Sequence, residues 1–280
     1  MKVAINSGAF LKFYNNDMIE AMNAFKAAGF DAMDFSIMTV AGRPEWDEDH
    51  YEDSAKRLRE HAEKIGLPIT QTHSGGDGNR SLKISALCGA EQCVIHPRIL
   101  QPHLGREEIN FQKNMEFYSP FAETALAVGC KVGVENMFKW EWEHEIIQHS
   151  SCSRPEEFCR YIDALEEKFP GAFTAVLDVG HVHVVQVDPA DCIRKLGKRL
   201  SGLHIHDNCG YNDHHAIPGV CKAGINFPAM MQALKEIDFK GDFTLEVSHP
   251  NQAPALIPAT LEFIQTVSRH YANMMEVDKQ

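Results

Sequence analysis

The sequence predicts an α/β protein of the TIM-barrel class, a (βα)8 barrel. Short apolar and β-branched segments alternate strictly with longer amphipathic segments, as expected for parallel strands joined by helices. Eight strand–helix units can be counted, the number that closes a barrel. The 280 residues suit one barrel of roughly 250 residues. No linker-like segment interrupts them, so we expect a single domain over residues 1–280.

The predicted strands are short and apolar, and each carries a polar residue at or near its C-terminal end. In chain order they cover 2–6, 32–36, 68–73, 92–96, 131–135, 172–178, 202–206 and 243–247. An open, doubly wound sheet is the competing architecture. It would usually have a glycine-rich phosphate loop after the first strand, and the NSGAF segment there does not fit one.

The predicted helices have apolar residues at three- and four-residue spacing, which places those residues on one helical face. They cover 17–28, 51–65, 81–88, 110–128, 154–168, 190–196, 227–237 and 254–271. Gly29, Gly66 and Gly129 directly follow three of these segments, and glycine is the usual residue just past a helix end.

The composition excludes several classes of protein. The formal charge of −12, from 27 basic and 39 acidic residues, disfavours nucleic acid as a ligand. The eight cysteines include no CxxC pair and predict reduced thiols in a cytoplasmic protein. The first residues do not resemble a signal peptide, and no apolar run approaches the roughly 18 residues of a membrane span.

Acidic and histidine side chains stand where successive predicted strands end: His73, His96, Glu135, Asp178, His204 and Glu246. In a closed barrel these ends converge on one mouth. Carboxylates crowded into a partly dry space need compensating positive charge, and no lysine or arginine occupies these strand ends. The pattern therefore predicts a divalent cation held by carboxylates and imidazoles.

The segment after the seventh predicted strand carries further candidate ligands. Asp213 and His215 lie in a glycine-punctuated loop that is either a solvated polar loop or reaches back to the barrel mouth. We favour His204 over His206 as the strand's ligand, with Asp207 orienting a ligand from behind. A zinc site that uses Cys209 and Cys221 is disfavoured, because the spacing matches no common pattern.

Two long segments follow predicted strands on the same side of the barrel. Residues 37–50 contain Trp46, and residues 137–152 contain Trp140 and Trp142. Loops at this face of a barrel carry its function. Trp140 and Trp142 fit either an aromatic lid over a substrate or a contact between subunits.

The segments VENM, LDVGH, LHIHDN and LEVSH, in this order, resemble the xylose isomerase-like barrel superfamily over essentially the whole chain. That group includes sugar isomerases and epimerases, hydroxypyruvate isomerase, inosose dehydratase and endonuclease IV. Likeness to the tagatose and psicose epimerases implies one Mn2+ or similar ion on Glu135, Asp178, His204 and Glu246. It also implies that Glu135 and Glu246 exchange the substrate proton and that His181 contacts the substrate.

Two details set this chain apart from those epimerases. They carry an arginine shortly after the seventh-strand histidine, and the corresponding CGYND stretch has none. The following loop instead resembles endonuclease IV, which binds three zinc ions. That resemblance implies additional metal ligands and covers all nine ligand positions: His73, His96, Glu135, Asp178, His181, His204, Asp213, His215 and Glu246.

We therefore expect a metal-dependent isomerase or epimerase of a small sugar-like carbonyl compound in carbohydrate metabolism, acting through proton abstraction and a metal-stabilised enediolate. Glu135 and Glu246 are the expected catalytic residues, and His181, His206 and Trp140 the expected substrate contacts. The ligand set suits Mn2+, Mg2+, Co2+ or Zn2+. The alternatives are a zinc phosphodiester hydrolase like endonuclease IV and a non-catalytic sugar-binding barrel. Pairing into a homo-oligomer is left open.

Overall fold

A computed structural model describes residues 1–100, 103–141, 146–248 and 252–276. Across this part of the chain, eight parallel strands form one sheet and two further strands form a hairpin. The strands are β1 (Val3–Asn6), β2 (Ala32–Ser36), β3 (Ile69–His73), β4 (Gln92–Ile95), β5 (Lys131–Glu135), β6 (Phe138–Glu141), β7 (Ile146–His149), β8 (Phe173–Asp178), β9 (Leu200–His204) and β10 (Phe243–Leu245).

The sheet closes on itself. Its strand order is β10-β1-β2-β3-β4-β5-β8-β9, so β9 and β10 are its two ends. The Ile205 amide donates to the Thr244 carbonyl at 2.8 Å, and the Glu246 amide donates to the Ile205 carbonyl at 3.0 Å. These bonds join the two ends just beyond β9. The predicted (βα)8 barrel is thereby confirmed.

The helices surround the barrel and connect its strands. They are α1 (Met18–Ala27), α2 (Tyr51–Ile65), α3 (Gly78–Cys88), α4 (Glu107–Tyr118), α5 (Phe121–Val128), α6 (Pro155–Lys168), α7 (Val179–Val184), α8 (Pro189–Leu196), α9 (Phe227–Glu236) and α10 (Ile257–Asn273). Asp17 and Asp188 cap the N-termini of α1 and α8, and Gly66 and Gly129 end α2 and α5 in the left-handed conformation. None of the described helices is long and apolar enough to cross a membrane.

One predicted helix is divided in the structure, and one helix of the structure was not predicted. The segment predicted as one helix over 110–128 is two helices, α4 and α5, separated at Ser119 and Pro120. Proline has no amide hydrogen to continue the helical ladder, which explains the break. The short helix α7 follows β8 without a loop, because the Asp178 side chain accepts from the His181 amide at 2.8 Å and caps it.

The two long mouth segments also differ from the expectation of loops. Residues Phe138–Glu141 pair antiparallel with Ile146–His149, so the segment after β5 is a β-hairpin. Trp140 pairs with Ile147 in this hairpin, and Trp142 lies outside the described residues. Trp46 is buried and packs against Phe35, with ring centroids 5.2 Å apart. Trp46 therefore belongs to the core.

Candidate metal centre

Four strand-end side chains meet at the C-terminal mouth of the barrel. We call them the inner group: Glu135 at the end of β5, Asp178 at the end of β8, His204 at the end of β9 and Glu246 directly after β10. One ligand atom from each lies within 4.8 Å of the other three. His204 Nδ1 lies 2.9 Å from Glu135 Oε1 and 3.4 Å from Glu246 Oε2. The expected convergence of these acids is therefore present.

The burial of the inner group tests whether a cation fits there. Glu135, Asp178 and His204 are completely buried, whereas the Glu246 side chain is 23% exposed. Glu135 Oε2 and Asp178 Oδ2 have no hydrogen-bond donor among the described residues. A buried carboxylate oxygen without a donor is costly. A divalent cation on these oxygens removes that cost, so the residues fit the metal that the sequence implies.

A second cluster, the side group, consists of His73, His96 and Glu135. The Nε2 atoms of His73 and His96 are 2.9 Å apart. Glu135 Oε2 lies 2.8 Å from His96 Nε2 and 3.6 Å from His73 Nε2, and the shorter contact lacks hydrogen-bond alignment. Two imidazole nitrogens and one carboxylate oxygen thus face one small space. Glu135 connects this space to the inner group.

A third cluster, the loop group, consists of His181, His206, Asp213 and His215. Asp213 Oδ2 lies 2.9 Å from His215 Nε2 and 3.6 Å from His181 Nε2, and its Oδ1 lies 3.4 Å from His206 Nε2. The rings of His206 and His215 stack with centroids 4.0 Å apart. Asp213 and His215 therefore do reach back to the barrel mouth, whereas the neighbouring His214 is exposed.

Two histidines of the loop group have their second ring nitrogen fixed by a backbone carbonyl. His181 Nδ1 lies 2.9 Å from the Asn136 carbonyl oxygen, and His215 Nδ1 lies 2.6 Å from the Glu246 carbonyl oxygen. A ring that donates from Nδ1 keeps the Nε2 lone pair available. Both rings therefore present Nε2 to Asp213, which is the arrangement that a metal ligand requires.

Asp207 organises the loop that carries Asp213 and His215. Its buried carboxylate accepts four backbone amides at 2.9–3.2 Å, from Asn208, Gly219, Cys221 and Ile225. The loop is thus folded around one side chain. Asp207 therefore acts on the backbone of the loop that carries the candidate ligands Asp213 and His215.

Comparison with known proteins places this architecture in a family. Residues 22–267 match the family model described as xylose isomerase-like TIM barrel. The chain belongs to this family.

Two relatives found by sequence comparison are uncharacterised proteins. An uncharacterised protein of Methanocaldococcus jannaschii is 26% identical over 195 residues, which span 68% of this chain and 62% of that protein. An uncharacterised protein of Mycobacterium leprae is 25% identical over 201 residues, spanning 67% of this chain and 68% of its own. The chain thus spans less than two thirds of the Methanocaldococcus protein.

Solved structures of this fold include sugar epimerases. A D-tagatose 3-epimerase-like protein superposes with a TM-score of 0.71 at 19% identity, covering 98% of both chains. The IolI protein with a bound zinc atom gives a TM-score of 0.72 at 18% identity, again covering 98% of both. The 3-keto-D-glucoside 4-epimerase YcjR of E. coli gives 0.71 at 16% identity, covering 95% of this chain and 99% of its own. At these identities the likeness establishes the fold.

The imidazoles around the inner group lower the pKa values of its two buried acids. Burial alone raises the pKa of Glu135, but the nearby imidazoles of His204 and His96 outweigh it and hold the pKa well below the usual value. The pKa of Asp178 is lowered in the same way by His181 and His206. Positive charge next to these acids thus favours their ionised form, and a divalent cation supplies such charge.

The pKa values of the neighbouring histidines are raised instead. Burial disfavours protonation of His204, yet the carboxylates of Glu246 and Glu135 raise its pKa well above the ordinary value. For His215 the hydrogen bond to Asp213 and its charge overcome burial and raise the pKa to about 9. Metal ligation requires a free lone pair, so cation binding at these groups must release protons.

The structure also places residues that the sequence did not single out. The side-chain amide of Asn136 donates to the Asp178 carbonyl at 2.9 Å and accepts from the Asp178 amide at 2.8 Å, which ties the end of β5 to the end of β8. The ring of Phe138 in the hairpin packs edge-on against His181, with centroids 5.0 Å apart. Gly180 allows the His206 ring to approach, since a Cβ at 180 would lie 1.9 Å from His206 Cε1.

Proposed function

We propose that the protein is a metal-dependent isomerase or epimerase of a small polyhydroxylated carbonyl compound. The inner group carries this proposal. It combines two glutamates with one shared set of cation ligands, and Glu246 is partly open to the mouth whereas Glu135 is buried. Sugar epimerases among the structures with this fold are consistent with it.

The proposed chemistry is proton exchange at a carbon next to a carbonyl group. A divalent cation on the inner group supplies Lewis acidity, which polarises the carbonyl and stabilises the charge left by the departing proton. Glu246, the more exposed carboxylate, removes that proton, and Glu135 returns one. His181 lies 3.7 Å from Asp178 and orients a substrate hydroxyl. The mixed oxygen and nitrogen ligands suit Mn2+, Mg2+, Co2+ or Zn2+.

The two remaining candidate substrate contacts, Trp140 and His206, lie in different parts of the barrel mouth. Trp140 lies on the hairpin whose Phe138 covers His181, so we propose that this hairpin borders the substrate. His206 is completely buried and lies 3.1 Å from Asp178 Oδ1 and 3.4 Å from Asp213 Oδ1. We therefore assign His206 to the loop group as a ligand.

A screen for isotope exchange tests this function. The metal-replete protein is incubated in heavy water with a panel of ketoses, aldoses and their phosphates, and deuterium incorporation is followed by NMR. We expect deuterium at one carbon next to the carbonyl of a preferred substrate. Glu246→Gln should slow that exchange roughly 100- to 10,000-fold, while Glu123→Gln, an exposed change on α5, should leave it unaltered.

Two results would contradict the proposal. Full turnover by Glu246→Gln with its full metal content would remove Glu246 from the chemistry. Saturable binding of a sugar without deuterium incorporation at any carbon would instead support a non-catalytic sugar-binding barrel.

One observation favours a second candidate, a zinc-dependent phosphodiester hydrolase. The side, inner and loop groups together can hold three cations, and Glu135 belongs to two of the groups. Closely spaced metal ions suit the displacement of an oxygen from a phosphodiester. About three tightly held zinc ions per chain, together with cleavage of abasic-site DNA, would favour this candidate over the isomerase.

A further inference from the structure

A buried carboxylate lies behind the inner group. Asp34 is on β2, inside the barrel and completely buried. Three side-chain nitrogens approach its Oδ2: Asn6 Nδ2 at 2.9 Å, His204 Nε2 at 3.2 Å and Gln71 Nε2 at 3.3 Å. Its Oδ1 has no hydrogen-bond partner among the described residues.

The surroundings of Asp34 single out His204 as its partner. Within the described ranges, His204 is the one basic side chain with a nitrogen within 4.0 Å of the carboxylate. The amide donors of Asn6 and Gln71 carry no net charge. An ionised carboxylate buried this deeply is costly unless it is paired. The hydrogen bond to the His204 ring is therefore the contact that pairs this buried carboxylate with a basic side chain.

The position of the ring proton on His204 decides whether this residue can bind a metal. His204 Nδ1 faces Glu135 and Glu246, and Nε2 faces Asp34. With the proton on Nδ1, the ring donates to Glu135, accepts from Gln71 Nε2 at 2.9 Å and has no lone pair for a cation at the inner group. With the proton on Nε2, the ring donates to Asp34 and the Nδ1 lone pair is free. The Gln71 amide must then turn its NH2 group away from Nε2.

His204 differs in this respect from the histidines of the loop group. The rings of His181 and His215 are held through Nδ1 by backbone carbonyl oxygens. The ring of His204 is held through Nε2 by a carboxylate, which is a stronger acceptor and makes the opposite nitrogen a better ligand. The one histidine of the inner group thus has a stronger hydrogen-bond acceptor behind its ring than His181 or His215 has.

A polar network runs below Asp34 and begins at Gln71. Gln92 Nε2 donates to Gln71 Oε1 at 2.7 Å, and the Ser201 hydroxyl donates in turn to Gln92. Gly202 leaves room for the two amides, since a Cβ there would lie 2.2 Å from Gln92 Nε2 and 2.5 Å from Gln71 Oε1. The network therefore contacts Asp34 only through Gln71.

We propose that Asp34 is a positioning residue of the inner group: it holds His204 in the tautomer with the proton on Nε2, and so strengthens binding of a divalent cation through Nδ1. The inference rests on the metal dependence of the proposed function. It concerns the affinity and placement of the cation, which can be measured without a substrate.

Zinc affinity measures this role. Wild type, Asp34→Asn and Ser201→Ala are stripped with chelator, and Zn2+ binding is measured by competition with a chromophoric chelator. Asp34→Asn keeps the size of the side chain and removes its charge, so the Zn2+ site of the inner group should weaken about 10- to 100-fold. Ser201→Ala removes a hydroxyl from the same network without touching His204, and should change the dissociation constant less than twofold.

The outcomes separate the inference from the proposed function. Unchanged Zn2+ affinity in Asp34→Asn would overturn the role of Asp34. Failure of the wild type to bind Zn2+ would overturn both that role and the metal dependence. Weakened Zn2+ binding in Asp34→Asn, together with no isotope exchange by the wild type on any sugar, would support the role of Asp34 and contradict the isomerase.

A measurement on the wild type covers the case in which Asp34→Asn does not fold. Protein labelled with 15N-histidine is loaded with Zn2+, and the His204 ring is assigned by comparison with His204→Gln. We expect the proton of His204 on Nε2 and zinc on Nδ1. Zinc on Nε2, or a proton that remains on Nδ1, would overturn the inference.

Discussion

The inner group and the loop group lie side by side at one barrel mouth, yet they are built differently. The side chains of the inner group end three barrel strands or follow a fourth, so barrel closure itself fixes their positions. The loop group takes Asp213 and His215 from a segment that is folded around Asp207. The geometry of the inner group depends on strand register, whereas that of the loop group depends on one ordered loop. Substitutions should therefore be able to abolish cation binding at either group separately.

Glu135→Gln should have the largest effect, because Glu135 belongs to both the inner and the side group. We expect turnover of the substrate to fall roughly 100- to 10,000-fold, with loss of metal from these two groups and retention at the loop group. Metal analysis and crystallography of the variant check this. Retention of cations at all three groups would show that Glu135 is not shared.

Asp207→Ala should have the converse effect. Four backbone amides lose their acceptor, so we expect the free energy of unfolding to fall by about 3 kcal/mol. Amide hydrogen exchange should quicken over residues 208–225, and the cation of the loop group should be lost while that of the inner group stays. Simultaneous loss of both cations would indicate that the two groups are not independent.

Gly180→Ala tests the loop group with a smaller change. The added Cβ would collide with the His206 ring, and we expect a loss of about 2 kcal/mol in the free energy of unfolding. Urea denaturation measures it. Combining it with His206→Ala should restore part of that loss, because the obstructing ring is gone. A double variant as unstable as the sum of both single variants would contradict the collision.

The pH dependence of the metal-free protein should show the smallest effect. The pKa of His215 is raised to about 9, so its protonation stabilises the folded state fully below the unfolded pKa of about 6.5. That contribution is lost as the pH rises through 9. We measure the free energy of unfolding in the presence of a chelator. The difference between wild type and His215→Gln should decrease by on the order of 1 kcal/mol between pH 6.5 and 9.5. A constant difference would contradict it.

The sequence contained enough information for the barrel and for the inner group. Strand ends converge in any closed barrel, so Glu135, Asp178, His204 and Glu246 could be placed together without coordinates. His204 and His206 alternate along one strand, which indicates a shared face. The structure places His204 in the inner group and His206 in the loop group, a division that depends on Gly180 and could not be predicted from spacing.

Other features could be identified only from the structure, although some of them have a signal in the sequence. Phe138 and Trp140 alternate with Lys139 and Glu141, a period of two that fits the observed hairpin better than a loop. Asp34 is an acid in the middle of the mostly apolar strand β2. Its partnership with His204, 170 residues away, arises only when the barrel closes.

The most direct test of a cation at the inner group is anomalous diffraction from crystals grown with Zn2+ or Mn2+. We predict an anomalous peak bounded by Glu135, Asp178, His204 and Glu246, about 2.0–2.3 Å from their ligand atoms. A well-refined structure at saturating metal with these four side chains in place and no ion between them would contradict the central claim.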